Sequence, residues 1–383
     1  MRLGFNRLTG FTVVCMIGLQ AAKGQASAQE KPLMAEQVFK NVQVLKGIPV
    51  NEFMDTMGFF ASALGLNCIF CHTTVSLEDW NHFADDVPRK RITRNMIAMV
   101  NNINKTNFGG RRVVTCYTCH RGNERPKVIP SLAEQYGVPP EDPNEVEIVP
   151  GTQGPTADQV LDKYIQAIGG QQKLAALKSF VGKGTFSGYN TNHLPVAMEV
   201  YAKAPGQLAQ VIHVQIGDTT TTFDGKDGWI ASVDRPVRLL PDLPGYEQDS
   251  AKLDAELAVP VRIKQALTNW KSGFPATTIE DKDVQPIEGR GAGNSRFKLY
   301  FDQATGLLVR VVRYEPTAVG ILPTQVDYSD YRDVAGVKVP FKWVVTWTNG
   351  QNFNEFTDVQ PNVNIDASRF AKPAAAQLKT AAK

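Results

Sequence analysis

Four of the five cysteines in this 383-residue chain fall in two copies of one pattern, Cys68-Ile69-Phe70-Cys71-His72 and Cys116-Tyr117-Thr118-Cys119-His120. No other feature restricts the chain as strongly. Two thiols three positions apart, with an imidazole next to the second, share one turn of backbone and face one object. The spacing matches covalent haem attachment. The thiols reach the two vinyl groups on one porphyrin edge as thioethers, and the next residue lies under the ring, where its imidazole binds iron. The pattern predicts two haem c groups, attached through Cys68, Cys71, Cys116 and Cys119, with His72 and His120 as iron ligands.

Two other chemistries use C-x-x-C. Four cysteines and two histidines can surround one zinc ion, and a thioredoxin-like redox pair has the same spacing within a βαβ context that this sequence lacks. Neither requires a histidine directly after both pairs.

Each motif follows an amphipathic stretch that carries two methionines. Residues 49–64 place Phe53, Met54, Met57, Phe60, Ala61 and Leu64 at helical spacing, and residues 91–104 do the same with Ile92, Met96, Met99, Val100 and Ile103. Methionine on an apolar helix face is ordinarily core filler. Five of the eight methionines lie between residues 34 and 99, however, which makes them candidates for the sixth iron ligand. The members of each pair are three apart and share a face, so periodicity does not choose between them.

Residues 1–28 read as a secretory signal peptide: Arg2 and Arg7, an apolar run from Leu8 to Leu19, and Ala26-Ser27-Ala28 as a cleavage site. A retained membrane anchor has the same appearance, although the apolar run falls short of the roughly 20 residues of a spanning helix. Cys15 lies within this leader, so the exported chain keeps only the paired cysteines. Its removal also takes Arg2, Arg7 and Lys23, and the 41 basic residues of the full chain fall level with its 38 acidic ones. A nucleic-acid partner therefore has no electrostatic support. No G-x-S-x-G, H-E-x-x-H or P-loop motif occurs, and His82, His193 and His213 are isolated.

The segment from Val38 to Pro126, with VFKNVQVLKGIPVNEFMDTMGFFASALGLNCIFCH and RNMIAMVNNINKTNFGGRRVVTCYTCHRG, resembles the cytochrome c subunit family of photosynthetic reaction centres. It looks like the two-haem half of that four-haem protein. The resemblance implies that each sixth ligand comes from the helix before the motif. Matching E-F-x-x-T-M (Glu52, Phe53, Thr56, Met57) points to Met57 for the first haem, and matching R-x-M (Arg94, Met96) points to Met96 for the second. Two departures limit it. There are only two attachment motifs, and residues 105–115 lack the histidine that the family's bis-histidine haem borrows. A photosynthetic role therefore does not follow.

Seven of the 23 prolines lie between Pro126 and Pro155, together with Glu141, Asp142, Glu145 and Glu147. This is the composition of a stiff acidic linker. The expected division is a signal peptide (1–28), a mainly α dihaem cytochrome c domain (29–130), a linker (131–155), an α+β domain with a curved antiparallel sheet (156–372) and a tail (373–383). In the α+β part a helix over residues 157–174, broken at Gly169-Gly170, precedes strands over 180–188, 196–202, 207–215 and 219–233. A helical insertion over 250–270 follows. Then come a hairpin of 296–301 with 307–314 and strands over 325–331, 338–347 and 352–359. VLDKYIQAIGGQQKLAALKSFVGKGTF and VDYSDYRDVAGVKVPFKWVV resemble the LolA/LppX-like, outer-membrane lipoprotein-sorting fold. That resemblance implies that the concave face can take a lipid or apolar ligand, or that its apolar residues simply fill a core.

The sequence thus predicts a periplasmic dihaem cytochrome that passes single electrons between redox proteins, with no catalytic residues, because an iron ligated on both sides has no open position. The alternatives are a haem enzyme such as a dihaem peroxidase, and an apolar-ligand binder with redox-sensing haems.

Overall fold

Pro49 and Gly65 bracket the first long helix, and the physical reasons are local. Gly65 adopts the left-handed conformation that closes a helix C-terminus, with φ of 65°. The computed structural model describes residues 32–129, 150–188, 191–233, 235–240, 246–348 and 350–377. The leader and most of the proline-rich linker lie outside these.

Among the described residues the N-terminal part holds five α-helices: α1 (Ala35–Val38), α2 (Val50–Leu64), α3 (Cys68–Cys71), α4 (Pro88–Asn107) and α5 (Cys116–His120). Pro88 opens α4 at a position whose N–H would have no partner in any case. The helix runs three residues further at each end than apolar spacing alone predicts. Each C-x-x-C-H motif lies on a single helical turn.

The C-terminal part contains α6 (Ala157–Ala167), α7 (Gln171–Ala176), α8 (Tyr246–Ala258) and α9 (Ile263–Ala266). Thr156 and Gln159 cap α6 reciprocally, and the break before α7 falls at Gly169 and Gly170 as expected. The strands are β1 (Ser179–Gly188), β2 (Val196–Lys203), β3 (Gln207–Val214), β4 (Gly217–Phe223), β5 (Gly228–Ser232), β6 (Arg235–Leu239), β7 (Thr268–Lys271), β8 (Thr277–Ile279), β9 (Lys282–Arg290), β10 (Arg296–Asp302), β11 (Leu308–Pro316), β12 (Ile321–Val334), β13 (Val337–Trp347) and β14 (Gly350–Pro361). They form one antiparallel sheet in the order β6-β5-β4-β3-β2-β1-β14-β13-β12-β11-β10-β9-β7, with β8 on β9. Two meanders meet where β1 pairs with β14, in a register that shifts between Lys183 and Gly184.

Strands β6, β8 and β9 have no counterpart in the sequence reading, and two further details differ from it. The stretch expected as one strand over 219–233 is the hairpin β4–β5, turned by Asp224, whose side chain accepts from the N–H groups of Lys226 and Asp227 at 2.8 and 2.7 Å. The helical insertion ends at Ala266, and Thr268–Lys271 pairs with β9 instead.

The helices cover one face of the sheet. Leu161, Ile168 and Leu174 from α6, α7 and the link between them, Leu253 from α8 and Ile263 from α9 are fully buried against Phe180, Met198, Phe297, Leu299 and Val337. Each such side chain stabilises the fold by about 1.5–3 kcal/mol. This face is therefore filled by side chains. Among the described residues no helix is long and apolar enough to cross a membrane.

A smaller apolar cluster joins the two parts. Leu45, Phe59, Ala63 and Ile97 of the N-terminal part are buried together with Val319 and Leu322 of the sheet, and Met57, Phe60, Cys116 and Ala318 pack against them. Phe59 presses on the β11–β12 turn so closely that a Cβ on Gly320 would lie 2.1 Å from its ring. Arg112 donates a hydrogen bond to the Thr317 carbonyl in the same turn.

Candidate haem-attachment sites

The first motif is held by the start of α4. Arg89 lies over the Phe70 ring, 3.4 Å from its centre, and donates to the Phe70 carbonyl at 3.0 Å. Lys90 donates to the carbonyls of Phe83 and Asp85 at 2.5 and 2.7 Å, fixing the loop that brings Phe83 against the His72 ring at 4.8 Å. Burial, then the positive charge of Lys90, pulls the His72 imidazole down to about 4, with the Phe83 backbone opposing. His72 is therefore neutral at pH 7, the form that binds a metal. Its Nδ1 is buried without a hydrogen bond.

The second motif is held by the end of α4. Asn104 is buried, accepts from the N–H groups of Val113 and Val114 at 3.0 and 2.9 Å, and donates to the Val114 carbonyl at 2.7 Å. Thr115 and Thr118 form a capping box at the start of α5. His120 Nδ1 lies 3.0 Å from the Asn123 carbonyl, an arrangement in which Nδ1–H donates and the Nε2 lone pair stays free for iron. Gly122 N–H donates to the Ala63 carbonyl at 2.9 Å, and a Cβ on Gly65 would lie 2.2 Å from Gly122 O. These contacts lock α2 to the second motif, although α2 precedes the first. At 1.5 Å rise per residue, Arg89 and Asn104 are about 22 Å apart along α4, so the two ends of one helix serve the two motifs.

The residues fit a covalently bound haem. All four cysteines are free thiols. Burial raises the Cys71 and Cys116 thiols, the reverse of the lowered thiol of a reactive redox pair. Among the described residues no group of three or more His, Cys, Asp or Glu is placed to hold a metal ion, so the two motifs do not converge on one zinc site. His72 Nδ1 is buried without a hydrogen bond, and the other ring nitrogen would be the one to bind iron if a haem were attached here.

Met57 is half-buried on the cluster that joins the two parts, whereas Met54 is 50% exposed. Met96 and Met99 are 39% and 46% exposed and are not separated by burial. His82 and His213 bond to Asp85 and Asp218 at 2.8 and 3.1 Å, which accounts for both locally. Sequence reasoning missed Asn104, whose signal is a polar residue on the apolar stripe of Ile97 and Val100. It also missed the turn at residues 317–320, which carries no motif.

A carboxylate cluster lies beside α2. Burial, then Glu315 and Glu247, raises Asp55 to about 7, with Arg238 opposing. Arg238 makes two bonds to Glu247 at 2.5 and 2.8 Å. Glu315 is raised chiefly by burial.

Comparison with known proteins bears on the N-terminal part. The family model of the photosynthetic reaction centre cytochrome C subunit matches residues 17–144. The photosynthetic reaction center cytochrome c subunit of Rubrivivax gelatinosus is 39% identical over 100 residues, 25% of each chain. That of Thermochromatium tepidum is 37% identical over 97 residues, 24% of this chain and 23% of the relative. Cytochrome c-554 of Chloroflexus aurantiacus is 35% identical over 133 residues, 32% of this chain and 28% of the relative. The chain thus spans about a quarter of the length of these curated relatives. Among solved structures, a LolA superfamily protein from Nitrosomonas europaea has a TM-score of 0.40 at 14% identity, covering 57% of this chain and 99% of the other. A DUF1329 family protein from Desulfovibrio piger has a TM-score of 0.40 at 11% identity, covering 57% and 98%. The part of the chain that carries both C-x-x-C-H turns is thus similar to the cytochrome c subunits of photosynthetic reaction centres.

Proposed function

We propose that the protein is an electron-transfer cytochrome of the periplasm with two covalently attached haems. The observation that carries this reading is the pair of one-turn helices, each presenting two free thiols followed directly by a histidine. Cys68 with Cys71 and Cys116 with Cys119 hold the two groups, and His72 and His120 bind the irons. The haem supplies a one-electron couple between ferrous and ferric iron. The chain's own residues orient the imidazoles and exclude water: Phe83 packs on His72, the Asn123 carbonyl fixes the His120 tautomer, and the cluster around Phe59 keeps the space beside Met57 and Cys116 apolar. Met57 and Met96 serve as sixth ligands in this reading, which leaves neither iron an open position and makes the protein a carrier.

Intact mass followed by an optical redox titration of the purified holoprotein tests this. A chain starting at Gln29 that carries two haems, not extractable by acid-acetone, is expected, with two reversible one-electron steps. Free thiols in the holoprotein would count against attachment. Rapid carbon monoxide binding to the reduced form would indicate an open iron and a haem enzyme.

A further inference from the structure

The two attachment turns differ in what meets the Nδ1 side of the histidine ring. At the second motif the Asn123 carbonyl lies 3.0 Å from His120 Nδ1, placed to accept its proton. At the first motif the Phe83 ring packs on His72 at 4.8 Å, and the Phe83 backbone is the one group that favours a further proton on that imidazole. The Phe83 carbonyl, however, already accepts from Lys90 Nζ at 2.5 Å, and Lys90 donates to the Asp85 carbonyl at 2.7 Å as well. His72 Nδ1 is left buried with no hydrogen bond. An imidazole that donates its Nδ1 proton to an acceptor is the more basic ligand, so the partner of this atom sets how strongly the ring donates to a metal.

Lys90 also brings a charge without a direct counter-ion. It is half-buried and forms no ion pair among the described residues. The two carboxylates of the loop before it are engaged elsewhere, Asp85 with His82 at 2.8 Å and Asp86 with Arg94. Their field at Lys90 is opposed by that of Arg94. The two effects have one sign. A positive charge beside the ring and an imidazole without an acceptor each disfavour the added charge of ferric iron, and so favour the ferrous state.

We propose that Lys90 is a positioning residue that sets the potential of the first haem through His72, by engaging the Phe83 carbonyl and by holding a positive charge beside the imidazole. The proposal rests on the two-haem reading above and adds to it a residue outside both C-x-x-C-H motifs. In the step concerned, one electron leaves the ferrous iron for the oxidant of a titration, and the ferric iron remains on His72.

The test is a potentiometric titration, followed optically, of holoprotein whose mass shows two haems. Lys90→Met removes the charge and the donor, Lys90→Gln keeps a donor for the Phe83 carbonyl without the charge, and Lys90→Arg keeps both. Lys90→Met is expected to lower one of the two midpoints by roughly 59 mV, a tenfold change in the ferrous-to-ferric ratio at fixed potential, and to leave the other in place. Lys90→Gln should give a smaller shift in the same direction, and Lys90→Arg should restore the midpoint of the unsubstituted protein. In nitrogen-15 histidine NMR spectra of the fully reduced protein, one Nδ1–H proton should move downfield in Lys90→Met, as His72 gains the freed carbonyl. In a Cys68→Ser, Cys71→Ser background, which keeps only the second attachment site, Lys90→Met should not move the remaining midpoint, and a shift there overturns the proposal. Two unchanged midpoints in the Lys90→Met holoprotein overturn it too. So does an equal fall in both, or a fall in Lys90→Arg as large as that in Lys90→Met, which would mean that the side chain acts through packing alone. Should Lys90→Met lose haem, Lys90→Gln and Lys90→Arg carry the test, because both keep a donor and differ in charge. Fewer than two haems by mass in the unsubstituted protein would instead overturn the two-haem reading.

Discussion

Asn104 and Val114 are joined by a two-way amide pairing, in which the Asn104 side chain donates to the Val114 carbonyl at 2.7 Å and accepts from the Val114 N–H at 2.9 Å. A third bond from Val113 N–H completes the clamp. One buried side chain therefore fixes the chain as it enters the second motif. Asn104→Leu leaves two N–H groups and one carbonyl without these partners, so it should cost about 2–4 kcal/mol. Thermal unfolding of the holoprotein should show the loss. The absorption of the second haem should broaden while that of the first is unchanged, and an equal effect on both would contradict a local clamp.

The sixth ligands separate by substitution. A thioether ligand favours ferrous iron and raises the potential. Met57→His and Met96→His should each lower one haem's potential and weaken the far-red sulfur-to-iron absorption, and the double change should abolish it. Met54→Leu and Met99→Leu should leave the band in place. If Met54→Leu or Met99→Leu weakens it, the ligand lies one helical turn away.

At the junction of the two parts, Gly320→Val drives a side chain into the Phe59 ring. Overpacking of this kind costs about 1–3 kcal/mol. Because the cluster includes Met57 and Cys116 at its edge, the far-red sulfur-to-iron absorption should be lost at lower denaturant than the sheet signal in circular dichroism, whereas the unsubstituted protein is expected to lose both together. Coincident transitions in the variant would show that the junction does not couple the parts.

The carboxylate cluster gives a pH dependence with a fixed sign. Asp55 is raised in the folded protein, so the native state binds its proton more tightly than the unfolded chain does. Its contribution to stability is present below the ordinary carboxylate range and is lost as pH rises from about 4 to about 7. Glu315 acts in the same direction. Asp55→Asn and Glu315→Gln should therefore raise the melting temperature at pH 8 more than at pH 4. The opposite ordering would mean that these carboxylates are stabilised as anions.

Much of this was legible in the residues. The two motifs, α2, α4, the break at Gly169 and the hairpin turned at Asp302 all carry local signals, either capping or turn chemistry or spacing within one element. What was not legible depends on partners distant in sequence. Thr268–Lys271 continues a helical pattern from Ile263, and only pairing with β9 makes it a strand. β9 itself contains Pro286, Glu288 and several charges, yet Val284 and Ile287 are fully buried because β10 and two apolar clusters surround it. Val319 and Gly320 read as an ordinary turn, since nothing near them in the chain announces Phe59.

The pairing of β1 with β14 has a consequence for the order of events during synthesis. The central ladder of the sheet waits for residues 350–361, the last strand to be made, whereas both C-x-x-C-H turns are complete by residue 120. Chains fold as they emerge, N-terminal segments first. The turn that covers the space beside Cys116 does not exist until residue 320 has been added. For about two hundred residues of elongation Cys116 therefore stands without the turn that packs beside it in the finished fold, whereas Cys68 and Cys119 are exposed in both states.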